Sequence, residues 1–266
     1  MNDYQKYLDS AVTAALAAGS YQRHRFTSLL EIDLKGDKNL VTEVDREAER
    51  LIVEQLLACF PGHTIIAEEG EYPSGDPLFR WIIDPLDGTT NYAHGFPWFC
   101  VSISLEAEGE LAAGVIYNPL SDELFTATKG GGAFMNGRRL RVSTRSPLEN
   151  VLLGTGFPYD CATDTANNFA NFIAFQKAAR GIRRAGAAAL DLAYVAAGRL
   201  DGFWELKLKP WDVAAGVLLV REAGGMVTTF DGSPYDVFND RILATNGLIH
   251  GDMAALLAAS AAGGTP

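Results

Sequence analysis

Trp81-Ile82-Ile83-Asp84-Pro85-Leu86-Asp87-Gly88-Thr89-Thr90-Asn91-Tyr92 is the stretch on which the reading of this chain turns. Its apolar run, Trp81 to Ile83, has the composition of a buried strand. The run delivers Asp84 at its end and Asp87 into a tight turn, and Gly88-Thr89-Thr90 follows at once. Carboxylates bind hard cations and small-residue N–H groups bind phosphate oxygens, so the stretch predicts a site where metal meets phosphate. Gly88 lets an anion approach the backbone closely, and Thr89 adds a hydroxyl. A helical turn opening at Thr90-Asn91 would aim free N–H groups at the anion. Asp-Pro and Asp-Gly are also ordinary turn formers, so the turn alone leaves a structural reading open.

Upstream, Tyr4, Tyr7, Leu8, Ala11, Val12, Ala15 and Leu16 recur at helical spacing, with Gly19 as a stop. Glu31 to Asn39 is charged and reads as a mobile loop. Val44, Ala48, Leu51, Ile52, Gln55, Leu56 and Cys59 mark a second helix, and Thr42-x-x-Asp45 fits a capping box at its start. Strands are predicted at 64–67, 79–83, 101–105, 114–117 and 123–128, with Asn136-Gly137 as a hairpin signal. They make an antiparallel or mixed sheet. Beyond about Val142 strands and helices alternate, and Gly263 to Pro266 reads as a frayed tail. The expected division is an N-terminal lobe, 1–142, with this sheet and most of the acidic site residues. A C-terminal α/β lobe, 143–266, carries Asp212.

Four acidic positions share a context. Glu68, followed by Glu69, closes one predicted strand, Asp84 closes the next, Asp87 lies in the turn, and Asp212 sits at a predicted helix start. Carboxylates so placed can converge on one rim of a sheet. The set is oxygen-only, with His94 just past the turn, which favours magnesium or manganese over zinc. Taken singly, Asp212 fits an N-cap equally well, and Asp45 fits its capping box. With no Cys or His nucleophile in a phosphatase-like loop, the set points to direct attack by water.

The chain has 266 residues and a net charge of −11, from 22 basic and 33 acidic residues. That balance disfavours non-specific binding to nucleic acid or to an anionic membrane. Two small clusters, Arg138, Arg139, Arg141 and Arg180, Arg183, Arg184, are read as solvated surface. Cys59, Cys100 and Cys161 are scattered and odd in number, which suits a reduced, cytoplasmic protein. The N-terminus has no signal-peptide pattern, and no stretch reaches transmembrane length.

The stretch Trp81–Tyr92, with its Asp-Pro-hydrophobic-Asp-Gly-Thr core, resembles the first signature of the inositol monophosphatase family. Trp211-Asp212-Val213-Ala214-Ala215-Gly216, followed by Glu222-Ala223-Gly224-Gly225, is similar to the second. Glu68-Glu69-Gly70 and Leu40-Val41-Thr42-Glu43-Val44-Asp45 match the two remaining metal-site segments. The resemblance implies an α/β (α+β) fold, a layered αβαβα sandwich with two lobes, usually as a homodimer. It implies two or three Mg2+ ions, with Mn2+ as a substitute, held by Glu68, Asp84, Asp87, Asp212 and the Leu86 carbonyl. Asp45, Thr89 and Glu68 would be catalytic, with Asp45 and Thr89 activating water. Asp87, Gly88, Thr89, Ala188 and Glu205 would touch substrate, and Lys35 lies in the loop that helps to complete the metal site. Ala187 departs from the Thr or Ser common in the family. The implied activity is lithium-sensitive hydrolysis of inositol monophosphate. The same signatures also serve fructose-1,6-bisphosphatase, histidinol phosphatase and 3′-phosphoadenosine 5′-phosphate phosphatase, and some bacterial relatives serve transcription antitermination.

Overall fold

A computed structural model describes residues 4–26, 32–34 and 40–262. Lys35 and the segment from Gly263 to Pro266 lie outside the described residues. Helix α1 (Gln5–Arg25) is followed by a short hairpin, β1 (Ile32–Leu34) and β2 (Leu40–Thr42), which replaces part of the expected loop with paired backbone. Gly19 does not stop α1. A Cβ there would lie 2.5 Å from the Tyr117 ring, so the glycine admits a close contact with the sheet.

Helix α2 (Glu43–Cys59) leads into strands β3 (His63–Ala67) and β4 (Asp76–Asp87) and helix α3 (Thr89–Ala93). Strands β5 (Cys100–Ala107), β6 (Glu110–Asn118), β7 (Glu123–Thr128), β8 (Gly132–Met135) and β9 (Arg138–Arg139) complete a seven-stranded sheet in the order β3-β4-β5-β6-β7-β8-β9. Only β3 and β4 pair in parallel in it, so the sheet is mixed. Asn136 and Gly137 both take positive φ between β8 and β9, as a tight hairpin turn requires.

The second half contributes β10 (Leu152–Thr155), α4 (Phe169–Ala178), β11 (Gly181–Arg183), α5 (Ala188–Ala196), β12 (Gly202–Leu206), α6 (Pro210–Glu222), β13 (Met226–Thr228), β14 (Arg241–Thr245) and α7 (His250–Ala262). Its five strands run in the order β11-β10-β12-β14-β13.

The buried apolar residues define the layers. Ala11, Ala15, Ile52 and Leu56 of α1 and α2 pack on Trp81, Ile83 and Ile103, one face of the seven-stranded sheet. The opposite face, with Ile82, Ile116 and Phe125, packs on Leu192, Val217 and Leu218 of α5 and α6. Phe203, Ile242 and Ala244 of the second sheet share that same core. The outer face of the second sheet, Leu153, Trp204 and Leu243, meets Phe175 of α4 and Met253 and Leu257 of α7. Helix, sheet, helix, sheet, helix is thus the order of layers. No helix of the described residues is long and apolar enough to cross a membrane.

Candidate active site

Strand β4 does not end at Asp84, as its apolar run suggests, but continues through Asp87. Asp84 pairs with Ser102 and Asp87 with Cys100, so Pro85 and Leu86 oppose the single residue Val101. That extra residue is a bulge, and it accommodates a proline inside a strand. Side chains three apart on a regular strand point to opposite faces. The bulge cancels the reversal, and Asp84 and Asp87 both line a cleft of about 750 Å³.

Glu68, from the segment after β3, and Asp212, the third residue of α6, line the same cleft. Asp212 is not an N-cap. Its carboxylate accepts the Lys209 N–H at 2.7 Å from inside the first turn. The four carboxylates face one another at short enough range to disturb their acidity. Burial, then the charges of Glu68, Asp87 and Asp212, pushes Asp84 well above the usual carboxylate range. Burial raises Asp87 to about 7, with Glu68 adding to it, and burial with Asp87 raises Asp212 to about 7.

Among the described residues, no group of three or more His, Cys, Asp or Glu side chains closes around a single point as a finished metal cage. The donor chemistry nevertheless fits a hard divalent cation. All donors are oxygens, and their mutual repulsion is what such an ion relieves.

Asp45 does two things at once. As the third residue of α2 its Oδ2 accepts the Thr42 N–H at 2.8 Å and the Thr42 hydroxyl at 2.6 Å, which completes the expected cap. Its Oδ1 accepts the Thr89 hydroxyl at 2.8 Å. The same hydroxyl lies 3.0 Å from the Leu86 carbonyl oxygen, a buried acceptor with lone pairs for a second partner. Thr89 opens α3, so the first N–H groups of that turn have no intrahelical carbonyl to bond. Gly88 before it has φ +96°, and a Cβ there would lie 2.9 Å from the Trp98 carbonyl oxygen.

Ala187 is the N-cap of α5 and supplies no capping side chain. Asp87 acts in its stead from the other sheet. Its Oδ2 accepts the Ala189 N–H at 2.8 Å, and the Ala188 N–H also favours its charged form. Glu205, on β12, lines the cleft and is only 9% exposed. Burial, then the charge of Asp212, raises it to about 8, with the Arg184 guanidinium opposing. Phe96 is half exposed and Trp204 lies fully buried against Phe175.

Asp191 also lines the cleft, outside the residues the sequence motifs point to, at 2% exposure and with its Oδ1 lacking a hydrogen-bond partner. Burial and then the Glu205 charge push its pKa well up. One signal was available: it is the single charged residue in the apolar run Ala-Ala-Leu-Asp-Leu-Ala-Tyr-Val-Ala of α5.

The comparisons with known proteins extend this geometry over the whole chain. The model of the inositol monophosphatase family matches residues 3–263. An inositol-1-monophosphatase of Synechocystis is 47% identical over 261 residues, covering 97% of this chain and 91% of its own. Nus factor SuhB of Escherichia coli K12 is 46% identical over 244 residues, 90% of this chain and 91% of its own. Among solved structures, the inositol monophosphatase of Anabaena (Nostoc) superposes with a TM-score of 0.89 at 45% identity, covering 97% of both chains. The extragenic suppressor protein suhB of Bartonella henselae gives 0.90 at 46% identity, over 95% of this chain and 98% of that one. With the fold, the cleft and the sequence match in agreement from end to end, the chain belongs to the inositol monophosphatase family.

Proposed function

We propose that this enzyme is a magnesium-dependent phosphomonoesterase that hydrolyses inositol monophosphate to inositol and phosphate. The observation that carries the reading is the meeting, in one cleft, of four mutually repelling carboxylates with the Thr89 hydroxyl, which Asp45 holds from behind. Glu68, Asp84, Asp87, Asp212 and the Leu86 carbonyl would hold two or three Mg2+ ions, with Mn2+ as a substitute. When bound, the ions lower the pKa of a water and neutralise charge on the phosphoryl and leaving oxygens.

The remaining roles belong to the chain's own atoms. Asp45 Oδ2 is occupied by Thr42, which leaves Oδ1 as the acceptor toward Thr89. Thr89 Oγ1 would accept a hydrogen bond from the attacking water and pass a proton on to Asp45 Oδ1. Gly88 and Thr89 would hold phosphate oxygens through backbone N–H groups. Asp87, the backbone at Ala188 and Glu205 would receive the polyol hydroxyls. A substrate panel of inositol monophosphate, fructose 1,6-bisphosphate, histidinol phosphate and 3′-phosphoadenosine 5′-phosphate, with Mg2+ and with Li+ as inhibitor, tests the assignment through kcat/KM. Full turnover in excess EDTA would overturn it.

Two further outcomes follow from the cleft. In metal-free protein, Asp87 and Asp212 keep their protons to about pH 7, whereas in the unfolded chain they lose them near pH 4. Between those limits the folded state binds more protons, so stability falls as pH rises. The Tm of the metal-free protein is therefore expected to drop between about pH 4 and about pH 7. Added Mg2+ should restore it most at the upper end, and a scanning-fluorimetry series in EDTA and in Mg2+ reads both. The second outcome concerns Glu205→Gln, which keeps the shape of the side chain but changes its hydrogen-bonding character. KM for inositol monophosphate should rise about tenfold, with far less change for a small aryl phosphate.

The relatives named Nus factor SuhB support a second reading, a partner role in transcription antitermination alongside catalysis. Pull-down from lysate with the parent and with Asp84→Asn separates the two, since partner binding should survive loss of turnover. A homodimer and a cytoplasmic location, the latter in keeping with three unbridged cysteines, complete the proposal.

A further inference from the structure

Glu49 is a buried acid one helical turn beyond Asp45 on α2, and no step outlined above uses it. It is 2% exposed. Its Oε2 accepts the Glu69 N–H at 2.8 Å, and its Oε1 accepts the Tyr72 hydroxyl at 2.9 Å. Both donors belong to the irregular segment between β3 and β4, which begins with Glu68. Gly70 allows that segment to lie close, because a Cβ there would come within 2.8 Å of Glu49 Oε1 and 3.1 Å of the Tyr72 ring. A carboxylate gripping a backbone N–H and a hydroxyl out of water is a strong, directional anchor.

We propose that Glu49 is a positioning residue for the metal site: by clamping the backbone at Glu69 it fixes where the neighbouring Glu68 carboxylate stands relative to Asp84. The inference rests on the reading of Glu68 as a metal ligand. Residues four apart share a helix face, so one face of α2 holds both parts of the machinery. Asp45 fixes the Thr89 hydroxyl, and Glu49, a turn further on, fixes the Glu68 segment. The distance between water-activating pair and acidic ligand is thereby set by a helix rather than by a loop. Loosening the clamp spreads Glu68 over several positions, which weakens ion binding and leaves the chemical step intact once the ions are in place.

The test uses the full chain and reads metal binding directly, by the free-Mn2+ signal in electron paramagnetic resonance. Activity is titrated against Mg2+ in parallel. Glu49→Gln keeps the size of the side chain but presents an N–H2 group to one of its two donors. Its Mn2+ affinity is expected to fall about tenfold. The apparent KM for Mg2+ should rise to match, while kcat at saturating Mg2+ stays within about twofold to threefold of the parent. Glu68→Gln, run beside it, should lose Mn2+ affinity and not recover kcat at any Mg2+ concentration. Unchanged Mn2+ affinity in Glu49→Gln with loss in Glu68→Gln overturns the clamp alone. Unchanged affinity in both overturns the reading of Glu68 as a ligand. A drop in kcat that saturating Mg2+ does not repair also overturns the positioning role. If Glu49→Gln does not fold, Tyr72→Phe removes a single hydroxyl, and the expected loss is a few-fold. Parent-like Mn2+ affinity in that variant would count against the clamp.

Discussion

Asp84→Asn is expected to fold, to melt at a higher temperature than the parent in the absence of metal, and to lose about a thousandfold or more in kcat. The two effects share one cause. Asp84 is 1% exposed and faces Glu68, Asp87 and Asp212, so its charge is opposed by burial and by three like charges. Asparagine removes that charge, and its side-chain oxygen still accepts the Leu86 N–H that Asp84 Oδ1 accepts at 3.0 Å. Relief of repulsion of about 2 kcal/mol corresponds to about 5 °C in a domain of this size. Fluorimetry in EDTA at pH 7.5 and a Mg2+-saturated assay measure the pair. Parent-level turnover would remove Asp84 from the metal site, and a lower Tm would mean that the carboxylates do not repel as their placement requires.

Asp45→Asn should also lose turnover, by about 10²- to 10⁴-fold in kcat with little change in KM, but its stability should move the other way. The Thr42 N–H and hydroxyl donate to one oxygen of Asp45, and the Thr89 hydroxyl donates to the other. Whichever way an asparagine amide turns, its NH2 faces a donor. Turned toward Thr42 it breaks the cap of α2, at a cost of about 1 kcal/mol. Turned toward Thr89 it removes the acceptor that the water-activating hydroxyl needs. Two aspartates of the proposed site, given the same substitution, are thus expected to lose function together and to part in melting temperature. Unaltered kcat in Asp45→Asn would sink the role given to the Asp45–Thr89 pair.

Much of this was legible because the relevant signals are local. The capping box at Thr42 and Asp45, the Asn136-Gly137 turn and the apolar run into Asp84 each depend on a few adjacent residues, and the structure has all three. What escaped depends on partners distant in sequence. The continuation of β4 to Asp87 is set by pairing with β5, which no window around residue 84 contains. Helix α1 runs past Gly19 because Tyr117, about a hundred residues away, fills the space that a side chain would need. Glu49 reads in sequence as one more acid on an amphipathic helix, and only the fold brings Glu69 and Tyr72 to it. Position 187 carries no Ser or Thr hydroxyl, and only the fold shows that the N-terminus of α5 is met by Asp87 from the other sheet.

The bulge in β4 makes the pairing register, and not only the kind of residue, a determinant of catalysis. Asp84 and Asp87 share a side only while Pro85 and Leu86 together oppose Val101. Were the ladder to run on unbroken with both spacers in place, Leu86 would pair with Cys100 and Asp87 would turn through half a revolution, away from the cleft and from the amide of Ala189. A chain so paired would retain every acidic side chain of the site and still be inert. In this stretch the pairing acts as a reading frame, and a slip of one residue changes the meaning of letters that have not themselves changed.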